Sequence, residues 1–445
     1  MTDVTFARKG KLADQYGNQH QLGAELARGG QGVVYRTGDA DLAIKQPLEA
    51  DGEPDRSADL QQRFQSVRCL PLPPRIPVSL PLAVLRDPEP GYVMKLLSDM
   101  SPFSAFELSG DQREVLASEP LPTWLAGVKD KNTALPLVHY AKSGSTKRRL
   151  LALAKAAAVL GRLHAAGLVY GDISPNNCFM GTDASLDVWL IDADNLRFEL
   201  IQGGTSVFTP RYGAPEIVQG TDGARPRTDA WAFAVMAFET LALVHPFMGQ
   251  KVLEPDEDEG GWDAEPVADG APVDLDEQAY AGYLPFVDDE NDDSNRALSG
   301  LPRGLVLTQQ LATLFQETFG GGRTKPWRRP ALAFWAQELT RAHDLSLACS
   351  TCSMSYQKDH TNCPYCGEPR PTFAVATTDR WQMVVQEHGS EVRLPHRLFH
   401  PFSLELNDAT GYEVVLDLDG RSATHVRGTE QLPASLSFEF VEEVA

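Results

Sequence analysis

Residues 169–179, VYGDISPNNCF, decide how the rest of the chain is read. An apolar pair, Val169 and Tyr170, enters the stretch, Asp172 follows, and Ser174-Pro175-Asn176-Asn177 closes it. Such a run is poor in helix formers and rich in turn formers, so it predicts a loop that holds its side chains at fixed angles. About 20 residues further on, Trp189-Leu190-Ile191-Asp192-Ala193-Asp194 reads as a strand that delivers carboxylates. Asp172 could accept a hydroxyl proton while Asn177 and Asp192 offer hard oxygens to a hard divalent cation beside a polyphosphate.

A second glycine-rich element lies upstream. Residues 22–27, 33–35 and 42–45 read as strands, and Arg28-Gly29-Gly30-Gln31-Gly32 is the turn between the first two. Glycine lets backbone N–H groups approach phosphate oxygens, and Lys45, at the end of Leu42-Ala43-Ile44, supplies a neutralising ammonium on a rigid strand. With a short helix over 59–70 and a strand over 91–94, these segments predict a small β-rich lobe. From about residue 146 the pattern turns helical: Leu153, Ala157, Leu160 and His164 share one face, and Gly167 stops the helix. Residues 228–243 are apolar nearly all round, as in a helix buried in a larger helical body, and 305–319 and 330–342 supply two more. Beyond residue 372, alternation at 403–406 and 436–440 and a hairpin turn at Asp419-Gly420 predict a small all-β module.

The chain has 445 residues, 42% of them hydrophobic, enough for two to four globular domains. Its formal charge of −21 is concentrated, because residues 254–295 hold 16 Asp or Glu and no Lys or Arg. That run reads as a solvated insertion or as a docking surface for a basic partner. So acidic a body argues against broad nucleic-acid binding, which depends on Lys and Arg displacing counterions. With no long apolar segment and no apolar core near Met1, neither a membrane span nor secretion is expected, and a cytoplasmic location is.

Four of the six cysteines form two C-x-x-C turns, Cys349/Cys352 and Cys363/Cys366, ten residues apart. Two such turns complete a tetrahedral thiolate shell, so a structural Zn²⁺ is expected, with His360 a bystander. Because about 25 residues cannot bury enough apolar area to fold alone, the metal should supply their stability. Cys69 and Cys178 stand apart in apolar surroundings and are expected to be buried.

Taken together, residues 15–343 resemble the protein-kinase family, in its eukaryotic-like bacterial serine/threonine branch. Ala27-Arg28-Gly29-Gly30-Gln31-Gly32-Val33-Val34 is similar to the nucleotide loop, with Ala27 for the first glycine, and Leu42-Ala43-Ile44-Lys45 to the strand bearing the phosphate-binding lysine. Tyr170-Gly171-Asp172-Ile173-Ser174-Pro175-Asn176-Asn177 resembles the catalytic loop and Asp192-Ala193-Asp194 the metal-binding motif. Thr209-Pro210-Arg211-Tyr212-Gly213-Ala214-Pro215-Glu216 is similar to the end of the activation segment, Asp229-Ala230-Trp231 to the start of the buried helix, and Arg329-Pro330 to the arginine site that pairs with the glutamate. The resemblance implies an α+β, two-lobed fold, followed by a zinc ribbon and the β module. Its boundaries would be 1–98 and 99–343 for the lobes (acidic insertion 251–297), 345–370 for the ribbon and 371–445 for the module. It further implies ATP and Mg²⁺, catalysis by Lys45, Asp172, Asn177 and Asp192, and Mg²⁺ on Asn177, Asp192 and Asp194. Nucleotide contacts would come from Ala27, Gly29, Gly30, Gly32, Val34, Ala43, Lys45, Met94, Lys95 and Leu96. A protein substrate and protein partners are implied; oligomeric state is not.

Several positions depart from the family pattern. Gly171 replaces the arginine that receives a phosphorylated loop, Ser174 replaces a lysine, and Ala193 and Asp194 replace Phe and Gly. For the helix glutamate that pairs with the strand lysine, Gln62 is nearest by position, with Asp59 and Glu53 as alternatives. Thr205, Ser206 and Thr209 could be autophosphorylated, and Cys178 could sense oxidants, although a buried apolar cysteine is the simpler reading. Small-molecule phosphotransferases of the aminoglycoside and choline type share the Gly-Asp loop but usually lack the Ala-Pro-Glu segment, the Asp-x-Trp helix and the Arg-Pro site. They form the rival reading, together with a nucleotide-binding scaffold that acts as a binding hub.

Overall fold

A computed structural model describes residues 10–29, 32–49, 51–183, 186–199, 208–255, 274–386, 391–400, 411–427 and 435–442. The chain is α+β. Its first six strands, β1 (Lys11–Ala13), β2 (Gln19–Gly29), β3 (Gly32–Thr37), β4 (Leu42–Gln46), β5 (Pro81–Val84) and β6 (Tyr92–Lys95), form one antiparallel sheet in the order β1-β2-β3-β4-β6-β5. Side chains alternate across β4: Ile44 joins Leu22, Val33 and Val93 on one face, while Ala43 joins Phe64, Tyr92 and Met94 on the other. Helix α1 (Ala58–Arg68) covers the second face, where Phe64 meets the Tyr92 ring edge-on at 4.8 Å. Lys45, two residues from Ala43, therefore shares the face that α1 covers.

Below the sheet, α2 (Gly110–Ser118), α3 (Lys131–Lys142), α4 (Ser145–Ala165), α5 (Pro215–Val218) and α6 (Pro226–Ala242) build the helical lobe. The core runs through α4 and α6, with Leu153, Leu160, Trp231, Phe233 and Phe238 all at 0% exposure. Residues 305–319 are not one helix. Arg303–Val306 ends before Thr308, whose side chain accepts from Leu311 N and caps a new helix, Gln309–Phe315, which passes into a π-helical turn at Gln316–Gly321. The helix expected over 330–342 runs Leu332–Asp344. Cys69 corrects its expectation: it terminates α1 at the surface and is exposed, whereas Cys178 is buried. No helix among the described residues is long and apolar enough to cross a membrane.

After the helical lobe, Ser346–Ala348 pairs antiparallel with Ser355–Gln357 and carries the first cysteine turn. Its Leu347, Met354 and Tyr356 share one core with Tyr140 of α3, with Leu301 and Val306, and with Phe373 and Val375 of the next strand. Two three-stranded antiparallel sheets follow. Phe373–Thr377 lies between Gln382–Val385 and Ser437–Val441, and Gly411–Asp417 lies between Glu391–Pro395 and Ser422–Arg427. The expected turn at Asp419-Gly420 joins the last two strands of the second sheet; the alternation at 403–406 lies outside the described residues.

One buried carboxylate clamps this module to the lobe. Asp344, the last residue of its helix, accepts Arg397 Nε at 3.0 Å and Nη2 at 2.9 Å, Trp381 Nε1 at 2.8 Å and His343 Nδ1 at 2.8 Å. Burial pushes the Asp344 carboxyl up, but Arg397 and His343 outweigh it and hold it well below the usual carboxylate range. A carboxyl depressed in the folded state stabilises above its unfolded pKa, and the contribution is lost as pH falls below that value. Asp344→Ala should cost roughly 3–5 kcal/mol, the scale for breaking a buried pair, in urea unfolding. Between about pH 5 and 3 the wild type should lose stability more steeply than Asp344→Asn.

Candidate active site

The loop opened by Tyr170 hangs from a single side chain of the buried helix. Asp229, 1% exposed in the first turn of α6, accepts Tyr170 N at 2.8 Å, Gly171 N at 2.9 Å and His164 Nε2 at 2.9 Å. Gly171 sits at φ +86°, a left-handed conformation strained for any residue with a Cβ, so glycine rather than arginine fits this position. Held this way, the loop turns Asp172 inward, 3% exposed. Asn177 Nδ2 donates to the Asp172 carbonyl at 2.8 Å and to its Oδ2 at 3.2 Å, and Thr209 Oγ1 donates to Oδ1 at 2.7 Å. Burial pushes the Asp172 carboxyl up, partly offset by Thr209. Thr209, read in the sequence as a phosphorylation candidate, is hydrogen-bonded to this carboxylate. Thr205 and Ser206 lie outside the described residues.

The second carboxylate segment follows the short strand Val188–Leu190, which pairs with Cys178–Gly181 so that Ile191 N donates to Asn177 O at 3.0 Å. Asp192 adopts the left-handed region, φ 55° and ψ 41°, which Asp tolerates better than most residues, and opens a 3₁₀ turn at Ala193–Asn195. Across the cleft, Lys45 Nζ reaches Asp192 Oδ1 at 2.9 Å and Asp194 Oδ2 at 3.4 Å. Burial lowers the Lys45 pKa, yet the charges of Asp194 and Asp192 more than compensate and the net shift is upward. Lys45, Asp172, Asn177, Asp192 and Asp194 are thus gathered from two lobes and two loops.

The nucleotide-loop residues are placed less uniformly. Ala27 and Gly29 are exposed on β2, Gly30 lies outside the described residues, and Val34 is half-buried on β3. A Cβ on Gly32 would lie 2.7 Å from Gln46 O and 3.3 Å from Lys45 Cε, so glycine lets the strand pass directly over the lysine. Ala43 and Met94 are buried, and Leu96 N donates to Asp41 O at 2.7 Å. Lys95 is exposed, with its Nζ 4.3 Å above the Trp189 ring. Among the described residues no helix carboxylate pairs with Lys45: Gln62, Asp59 and Glu53 are all exposed, and it is Arg63 that reaches into the cleft, with Nη2 at 3.7 Å from Asp194 Oδ2.

The segment after Thr209 is fixed at both ends. Tyr212 Oη donates to Glu239 Oε2 at 2.8 Å, and Arg329 meets Glu216 in a two-pronged pair of 2.7 and 2.9 Å. Arg329 also donates from Nε to Gly322 O at 2.9 Å and lies 4.8 Å above the Trp231 ring. Burial pushes the Cys178 thiol up to about 12, which removes the thiolate an oxidant needs.

The structure suits two kinds of ion. Asp194 Oδ1 is buried without a hydrogen-bond partner, and a carboxylate oxygen left over in this way fits a divalent cation. At the far end, the four thiol sulfurs lie within 4.8 Å of one another, with Cys349 and Cys366 at 3.6 Å and Cys352 and Cys363 at 3.5 Å. A tetrahedral ion with roughly 2.3 Å bonds needs sulfurs about 3.8 Å apart, so the cluster is compatible with zinc. His360 packs near Tyr356 instead, ring centres 6.2 Å apart. The cysteine segment is bolted to the start of α4: Ser355 N donates to Ser145 Oγ at 2.9 Å and Lys147 N to Ser355 Oγ at 2.7 Å.

Asp229→Asn should test the suspension of the loop. Replacing one acceptor oxygen leaves a buried N–H unmatched, and a loss of about 1–3 kcal/mol is expected in denaturant unfolding.

Residues 138–260 match the protein kinase domain family. The DNA damage-responsive serine/threonine-protein kinase RqkA of Deinococcus radiodurans is 27% identical over 238 residues, 52% of this chain and 31% of that protein. The RAC family serine/threonine-protein kinase homolog of Dictyostelium discoideum is 31% identical over 97 residues, 21% of this chain and 22% of that protein. Human ribosomal protein S6 kinase alpha-2 is 32% identical over 105 residues, 22% of this chain and 13% of that protein. The chain thus spans less than a third of the length of each of these relatives. Residues 138–260 are thus similar to the protein kinase domain family, and two of the relatives are serine/threonine-protein kinases.

Proposed function

We propose that the chain transfers the terminal phosphoryl group of ATP to a Ser or Thr hydroxyl of a protein. The observation that carries this reading is the meeting of Lys45 with Asp192 across the cleft, at 2.9 Å, beside the Asp172–Asn177 pair. Lys45 grips phosphate oxygens through an ammonium whose charged form the neighbouring carboxylates favour. Asp172 receives the proton of the acceptor hydroxyl, and Thr209 keeps it aimed by its hydrogen bond. A bound magnesium ion supplies charge neutralisation on the phosphates, and Asn177, Asp192 and Asp194 are the residues that would hold it. Catalysis then consists of positioning and electrostatics. The Glu216–Arg329 pair favours a polypeptide acceptor over a small molecule, because it anchors the segment that leads from Thr209, beside Asp172, to Glu216.

With Gly171 in place of an arginine, loop phosphorylation has no receiver at that position, and we infer that activity does not depend on it. The four cysteines are proposed to hold a structural Zn²⁺ in a ribbon over residues 345–370. The ribbon and the β module of 371–445 are proposed to present a protein-binding surface beside lobes that divide near residue 98.

Incubated with ATP, Mg²⁺ and generic protein acceptors, the wild type should form phosphoserine or phosphothreonine, and Asp172→Asn should reduce transfer at least about 10²-fold with its melting temperature unchanged. Transfer to aminoglycoside or choline acceptors alone would overturn the protein-kinase reading. Stripping the metal with a chelator should lower the melting temperature by about 5 °C or more, since the ribbon then loses its hold on α4, and added Zn²⁺ should restore it.

A further inference from the structure

We propose that Asp194 replaces the missing helix carboxylate as the anchor of Lys45, and that Arg63 ties α1 to that same carboxylate. The inference rests on the kinase reading and names two positioning residues for it. Lys45 and Arg63 approach one oxygen, Asp194 Oδ2, at 3.4 and 3.7 Å. Within α1, ADLQQRFQSVR, the acidic residue is Asp59, which is exposed, so the helix faces the cleft with a cation. Two cations that would repel each other are held in register by the carboxylate between them.

The anchor sits on a rigid support. Asp194 is 4% exposed and Ala193 0%, so packing fixes the turn at Ala193–Asn195 that the family makes from Phe and Gly. Lys45 is therefore held by the loop, while Arg63, with 42% of its side chain exposed, holds only the helix. When a helix glutamate anchors the lysine, moving the helix frees the lysine. Here α1 can shift and Lys45 stays paired with Asp192 and Asp194. Asp194 Oδ1, buried and without a hydrogen-bond partner, remains available to a cation, so anchoring and metal binding use different oxygens.

The test combines steady-state kinetics with hydrogen exchange on the full chain. Asp194→Asn should raise the Mg²⁺ concentration for half-maximal rate, because a charged ligand is lost, and at saturating Mg²⁺ it should still lower kcat/KM for ATP by about tenfold or more, the scale of one lost charge-assisted hydrogen bond. Arg63→Ala should lower it by less than about threefold while amide exchange of α1 speeds up. Arg63→Glu should reduce the rate in the wild type but raise it in Asp194→Asn, because a carboxylate returns to the helix; a general packing role would not reverse sign. Loss in Arg63→Ala as large as in Asp194→Asn would overturn the proposal, as would recovery of Asp194→Asn at high Mg²⁺. Faster α1 exchange in Asp194→Asn reads the tie even if no acceptor is phosphorylated, so its absence and the failure of the kinase reading are separable.

Discussion

Asp229 holds the centre of the structure together. Its two oxygens collect the N–H groups of Tyr170 and Gly171 and the ring of His164, so three groups from one stretch of chain terminate on a charge carried by the buried helix. Nothing in that stretch could satisfy those donors by itself, because Ser174-Pro175-Asn176-Asn177 is turn sequence without a ladder of its own. Once the loop is suspended, the orientation of Asp172 follows, then that of Asn177 through its two hydrogen bonds, and then the entry of the Asp192 segment through Ile191. The helix is apolar nearly all round, so its first-turn aspartate is stationary, and stationarity is what a positioning site needs.

Much of this was legible in the sequence, and for identifiable reasons. Strand alternation around Lys45 and the glycine at 32 gave the sheet, since a period of two and a turn signal are local properties. Asp172, Asn177 and Asp192 were readable because the loop holding them has little else to do. What could not be read depends on groups distant in sequence. Lys45 finds its partners in a turn 149 residues away, and no spacing rule announces that a cationic helix will face them. The role of Thr209 needed the folded path of its segment. Helices α2 and α3 did carry local signals, a Ser109/Gln112 capping box and an Asp130 cap, that the hydrophobic pattern did not draw out.

The cysteine segment and the β module illustrate a second kind of dependence. Sequence arithmetic gives the tetrahedral thiol set directly, since ligand spacing is local. It does not reveal that Leu347, Met354 and Tyr356 share their apolar surroundings with Tyr140 and with Phe373, so that the thiol cluster stands between the helical lobe and the last module. Nor does it reveal Arg149, fully buried within α4 and stacked 3.7 Å from Tyr140, whose guanidinium donates to the carbonyls of Phe106, Tyr140 and Ser145. Burial lowers its pKa to about 10, which still leaves it charged, and carbonyl dipoles serve where a carboxylate is usual.

The Asp344 clamp has a consequence for reach. A module joined by a flexible linker samples a volume, and anything it captures is delivered at a concentration set by chain statistics. Three hydrogen bonds from Arg397 and Trp381 onto one buried carboxylate make the joint between the last helix of the lobe and the β module stiff instead. The joint acts as a ruler rather than a tether: it sets the β module at one distance and one angle from the helix that carries Asp344.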